Sequence, residues 1–88
     1  MNHPPVVLVF GGTDPTGGAG VQADILTLAV LGCHPAAVVT AVTAQDTAGI
    51  KEFALVDPEL VVAQARAILE DMPVAAIKTG MLGSRVVV

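Results

Sequence analysis

Apolar residues in this chain fall into blocks with two different rhythms. Val6–Phe10 is an unbroken apolar run rich in β-branched residues, the pattern of a strand covered on both faces. Beyond a glycine-dense stretch, Val21, Ile25, Leu28 and Ala29 recur at helical spacing and mark one stripe of a helix. Gly32 then stands at the place of a helix-ending C′ glycine. Ala36–Ala44 reads as a second buried strand, and Gln45–Gly49 as a polar loop at its end. Ile50–Val56 reads as a short edge strand, with Lys51 and Glu52 at its polar positions. Asp57 followed by Pro58 is a helix start, a carboxylate cap ahead of a proline at N1 where no N–H is missed. Val61, Ala65, Ile68, Leu69 and Met72 form the second helical stripe, which Pro73 ends. Val74–Lys78 is a further strand, and Ser84, past Gly80 and Gly83, is placed to cap a third helix.

Strands alternating with helices indicate an α/β fold with a parallel sheet and right-handed crossovers. In such sheets ligands sit beyond the carboxyl ends of the strands. Three loops lie at those ends, Gly11–Gly20, Thr43–Gly49 and Lys78–Gly83, and the topology brings them together. Eighty-eight residues allow one small domain. Two helices are too few to cover both faces of such a sheet, so either a partner supplies the missing layer or, the favoured reading, residues 1–88 are the N-terminal part of a longer single domain.

Composition narrows the partners. At 53% hydrophobic and 14% charged residues, the chain is too apolar to be disordered. A net charge of −4, with four Lys and Arg in all, offers no basic face to a nucleic acid and no polybasic patch to a membrane. The lone Cys33 has no internal disulfide partner, which fits a reducing compartment. Gln22, Asp24, His34 and Pro35 interrupt the apolar stretch from Val21 to Ala44, so no membrane span is expected. The N-terminus lacks a basic region ahead of an apolar one, and a cytoplasmic location is expected.

The densest chemical signal is Gly11-Gly12-Thr13-Asp14-Pro15-Thr16-Gly17-Gly18-Ala19-Gly20. Placed between a buried strand and a helix, it lets a ligand approach the backbone and leaves N–H groups free at a positive helix end. A tight turn would use the same glycines. Gly12–Asp24, read as GTDPTGGAGVQAD, resembles the opening signature of the hydroxymethylpyrimidine/phosphomethylpyrimidine kinases of the ribokinase-like superfamily. Thr40–Thr47 (TAVTAQDT) and Lys78–Gly83 (KTGMLG) agree with the same family in the right order.

The resemblance implies a parallel-sheet, three-layer ribokinase-like fold, of which this chain is the incomplete N-terminal β-α-β-β-α-β part. It implies ATP- and Mg2+-dependent phosphorylation of 4-amino-5-hydroxymethyl-2-methylpyrimidine and then of its monophosphate, in thiamine biosynthesis. It places the pyrimidine-binding glutamine at Gln45, whose carboxamide offers a donor and an acceptor to an aminopyrimidine. It places small pocket-lining residues at Gly12 and Ala19, an acidic residue at Asp24, a ring-packing methionine at Met81, and Thr43 at a position often Val or Thr. Without the motif, Gln45 is a strand-end glutamine in water and Asp24 a carboxylate complementing a helix dipole. Asp46 departs from the family's usual asparagine, and Thr79 from an apolar residue. The family's late Gly-Thr-Gly motif and nucleotide loops do not occur, so no catalytic residue and no metal ligand is assigned, and the chain is expected to be inactive alone. A homo-oligomer is an option only for the full-length enzyme.

Three other readings remain open. A pyridoxal- or pyridoxine-type kinase fragment shares the superfamily. Gly18-Ala19-Gly20-Val21-Gln22-Ala23 fits the dinucleotide pattern, with Asp46 as a ribose-binding acid, but lies too far beyond Phe10 for a Rossmann turn. A chain acting only by association is the third. Lys78 reads as a strand-end lysine in solvent, and Cys33 and His34 fall at the far end of the first helix, away from the loops.

Overall fold

The apolar run near the N-terminus becomes the middle of a four-stranded sheet in the computed structural model, which describes residues 3–80. The elements in chain order are β1 (Val6–Gly12), α1 (Gly20–Val30), β2 (His34–Asp46), β3 (Gly49–Leu55), α2 (Pro58–Asp71) and β4 (Val74–Thr79). The expected cap at Ser84 and the site residue Met81 lie outside the described residues.

The sheet order is β3-β2-β1-β4. β1 runs parallel to both β2 and β4, as the alternation of strands and helices requires. β3 is antiparallel to β2, so the sheet is a parallel core with one reversed edge. The reason is local: a turn at Thr47 and Ala48 is too short for a crossover and closes a hairpin. Asp46 Oδ1 accepts the N–H groups of Ala48 (2.9 Å) and Gly49 (3.3 Å) and so builds that turn. Pairing with Ile50 draws Gln45 onto the end of β2 rather than into a loop.

α1 packs across β1 and β2, and α2 packs on β2. Leu8, Val38 and Val61 form the fully buried centre beneath α2, joined by Phe10, Ala36, Ala65 and Ile68. Val9, one residue along, points to the opposite face and is equally buried. The α2 stripe holds at Val61, Ala65 and Ile68, but Leu69 is exposed because its helical angle carries it past the sheet. In α1 only Val21 is fully buried, while Ile25 and Ala29, expected on the same stripe, are exposed. Both helices end as expected. Asp57 Oδ1 accepts the Glu59 N–H at 2.8 Å ahead of Pro58. After α1, Gly32 has φ +84° and bonds to the Ala29 carbonyl while Cys33 bonds to Leu28, a Schellman closure.

Candidate functional site

Two interruptions of the sheet sit at the carboxyl ends of its central strands. The β1–β2 register shifts between Gly11 and Gly12, and the β2–β3 register shifts between Ala44 and Gln45. Such bulges bend a strand and re-aim the side chain beside them. Here they open a cavity of about 240 Å³ whose walls come from all three loops named above. Gly11, Gly12, Ala19 and Gly20 form its small-residue side; Thr13, Asp14, Asp24, Thr43, Gln45, Ile50, Lys78 and Gly80 supply the rest. Two backbone bonds tie the segments together, Thr13 N–H to the Ala41 carbonyl (2.9 Å) and Gly80 N–H to the Phe10 carbonyl (2.7 Å).

Thr13, Thr43 and Gln45 form one hydrogen-bonded cluster. Thr43 N–H donates to Thr13 Oγ1 (2.9 Å), and Thr43 Oγ1 donates to the Thr13 carbonyl (2.6 Å). Gln45 Nε2 donates to Thr43 Oγ1 (2.6 Å) and to the Thr13 carbonyl (3.3 Å). Both amide hydrogens are thereby used within the protein. Among the described residues Gln45 Oε1 has no partner and no buried side-chain polar atom is left unsatisfied, so that oxygen is an accessible acceptor on a residue that lines the cavity. The carboxamide therefore presents an acceptor alone, not the donor–acceptor pair expected from its chemistry.

The glycine loop is organised from inside. Asp14 is 4% exposed. Its Oδ1 accepts the Thr16 N–H (2.9 Å) and hydroxyl (2.8 Å), and its Oδ2 accepts the Ala19 N–H (2.8 Å). Its own N–H donates to Gln22 Oε1 at 2.7 Å. The Thr16 hydroxyl bond, aided by the backbone donors and opposed by lost hydration, holds the Asp14 carboxyl below its ordinary value of 3.8. The expectation of free N–H groups in this loop is corrected on this point: the chain's own carboxylate takes two of them. The conformation also depends on Gly20, at φ +65°, where a Cβ would lie 2.5 Å from the Gly12 carbonyl oxygen.

Across the cavity from Gln45, Lys78 Nζ stands 2.8 Å from both Asp24 oxygens. The lysine is an exposed strand-end residue, as expected, and it also closes a two-oxygen ion pair between β4 and α1. With 52% of its side chain exposed, against 21% for Asp24, the pair contributes at most about 1 kcal/mol. Asp46 is spent on the hairpin turn, with Lys51 at 3.9 Å, and does not line the cavity. An asparagine oxygen would serve that turn equally, so the departure from the usual residue changes the hairpin's charge and leaves the cavity wall as it is.

Of the expected site residues, Gly12, Ala19, Asp24, Thr43 and Gln45 share this one cavity. Sequence reasoning missed Thr13 as their hydrogen-bonding hub, because nothing in a linear reading joins it to a threonine on the next strand. His34 lines a larger cavity of about 550 Å³ at the opposite end of the sheet, with His3, Pro5, Asp71, Met72 and Pro73. No group of three or more metal-ligating residues occurs among the described residues, and none of the described helices is long and apolar enough to cross a membrane.

Comparison with known proteins gives these residues a context. The family model for phosphomethylpyrimidine kinase matches residues 14–88. A hydroxymethylpyrimidine/phosphomethylpyrimidine kinase of Mycobacterium tuberculosis is 49% identical over 81 residues, covering 92% of this chain and 30% of that protein. The crystal structure of a phosphomethylpyrimidine kinase from Clostridium difficile superimposes with a TM-score of 0.87 at 36% identity, over 96% of this chain and 36% of that one. An ADP complex of a Bacillus subtilis pyridoxal kinase superimposes with a TM-score of 0.84 at 30% identity, over 92% and 32%. This chain thus spans about a third of the length of these proteins, and its α/β sheet is that of ribokinase-like kinases. The matched region begins at the carboxylate that orders the glycine loop and takes in both the hairpin carrying Gln45 and the strand carrying Lys78; the chain belongs to the phosphomethylpyrimidine kinase family.

Proposed function

We propose that this chain forms the ring-binding part of an ATP-dependent kinase acting on 4-amino-5-hydroxymethyl-2-methylpyrimidine and its monophosphate, in thiamine biosynthesis. The observation that carries the reading is the acceptor-only Gln45 on the wall of a small, glycine-lined cavity. An exocyclic amine is the donor such an oxygen needs. Thr43 fixes the carboxamide by accepting from Nε2, and Gly12 and Ala19 let a flat ring approach the backbone. At about 240 Å³ the cavity lies below the range of about 300–1,000 Å³ for drug-sized ligands, which suits a single substituted ring. Asp24 and Met81 complete the proposed ring-binding set.

The nucleotide supplies the phosphoryl group when bound, and the described residues do not fit it. The glycine loop, where N–H groups converge, already encloses the Asp14 carboxylate, which repels a phosphate. We assign no catalytic base or metal ligand within this chain and place the nucleotide-binding part in the length of the relatives that it does not span. The bare faces of β3 and β4, with Phe53 and Ile77 exposed, support a reading in which further structure covers the sheet.

Isothermal titration with the aminopyrimidine, its analogue lacking the amine, and pyridoxal tests the reading. The aminopyrimidine should bind most tightly, and Gln45→Ala should weaken it about tenfold, the order of one lost buried hydrogen bond. Equal affinity for the analogue without the amine would remove Gln45 from the role. Tighter binding of pyridoxal would favour the second reading, a B6-vitamer kinase, which the pyridoxal kinase superposition motivates.

A further inference from the structure

The charges on the cavity wall are unequal. Asp14 and Asp24 bring two carboxylates, and Lys78 is the one cation among the described residues lining the cavity. Asp14 is already satisfied by loop donors, so its charge is fixed in place. Asp24 is turned onto Lys78 with both oxygens. An ammonium has three N–H donors, and two of them account for this pair. The third has no partner among the described residues, on a side chain that lines the cavity and keeps half its surface exposed. Lys78 and Gln45 also stand on opposite sides of it, since β4 and β2 flank β1. Two strand spacings put these flanking strands about 10 Å apart, a span that a ring with an amine on one edge and a phosphate on another can bridge.

We infer that Lys78 is the residue that admits the phosphorylated form of the ring substrate, by donating to the phosphate of an aminopyrimidine phosphate monoester while Asp24 holds the ammonium over the cavity. The inference rests on the pyrimidine reading above and assigns a specificity role within it. Without this cation a phosphate dianion would meet two carboxylates and no compensating charge. The unphosphorylated alcohol, being neutral, has no such requirement.

The test is isothermal titration of the full chain, as wild type, Lys78→Met and Lys78→Arg, with two probes: the aminopyrimidine alcohol and its phosphate monoester. The quantity read is the ratio of the two affinities. In Lys78→Met the ratio should move against the phosphate ester by about tenfold or more, the size of a lost charge-assisted contact. Lys78→Arg should restore most of it. An unchanged ratio in Lys78→Met, even with both affinities reduced together, would make Lys78 a support for Asp24 and overturn the inference. Binding of the alcohol by Lys78→Met serves as the control for folding. If the wild type binds neither probe, the pyrimidine reading fails and takes this inference with it; if it binds the alcohol and the ratio ignores Lys78, only this inference fails.

Discussion

A carboxylate shut away from water persists only if its lone pairs are met, and Asp14 meets them with the Thr16 hydroxyl and the N–H groups of Thr16 and Ala19. These bonds, the Thr16 hydroxyl's most of all, are stronger to the ionised form, which is why the Asp14 carboxyl sits below its ordinary value of 3.8. A group whose pKa is lower folded than unfolded binds fewer protons in the native state. Its stabilisation is therefore complete above about pH 4 and is lost as the pH falls through the lower folded value. Thermal melts of wild type and Asp14→Asn from pH 7 downward should show a gap at neutral pH that narrows below about pH 4. A gap that stays constant with pH would place the loss in packing rather than in charge. Because the same carboxylate orders the backbone beside Ala19, the variant should also weaken ring binding at neutral pH.

At the scale of elements, α1 is framed by two glycines that do different things. Gly32 has φ +84° with open space around its Cα, so a methyl group there meets only the backbone preference. Gly20 has φ +65° and also lies against the Gly12 carbonyl and the Asp14 amide, so a methyl group meets both the preference and a backbone clash. Gly32→Ala should destabilise by about 1–2 kcal/mol, the left-handed cost alone. Gly20→Ala should exceed it, because neither clashing group is a side chain that can move aside. Urea titrations of the two variants check the order; equal costs would mean that the loop yields. The hairpin shows the complementary case. Asp46, which stands where the family usually has asparagine, is the acceptor that makes the turn and so reverses β3.

For the whole molecule, burial is uneven. The fully enclosed centre is Leu8, Val38 and Val61 beneath α2, whereas β3 is exposed throughout and Leu26 on α1 is 62% exposed. Leu8→Ala should therefore cost about 2–5 kcal/mol, and Leu26→Ala within about 0.5 kcal/mol. Circular-dichroism melts of the two variants decide this; similar losses would show that α1 is covered on its outer face in solution.

Local chemistry determined a large share of this protein from the sequence alone. The Asp57-Pro58 start and Gly32 specify their elements because cap and left-handed turn are satisfied by neighbours in the chain, and the run at Val6–Phe10 specifies its own because an unbroken β-branched stretch suits a strand buried on both faces. Family membership was legible too, since its three motifs are contiguous segments. Tertiary structure alone decided what each polar group faces. Asp14 fills the loop that its glycines had seemed to leave open, the two hydrogens of Gln45 are consumed by Thr13 and Thr43, and Lys78 closes onto Asp24. The physical reason is that a hydrogen bond or ion pair is settled by whichever partner folding brings within about 3 Å. Here those partners stand up to 54 positions away along the chain, at a separation no periodicity encodes.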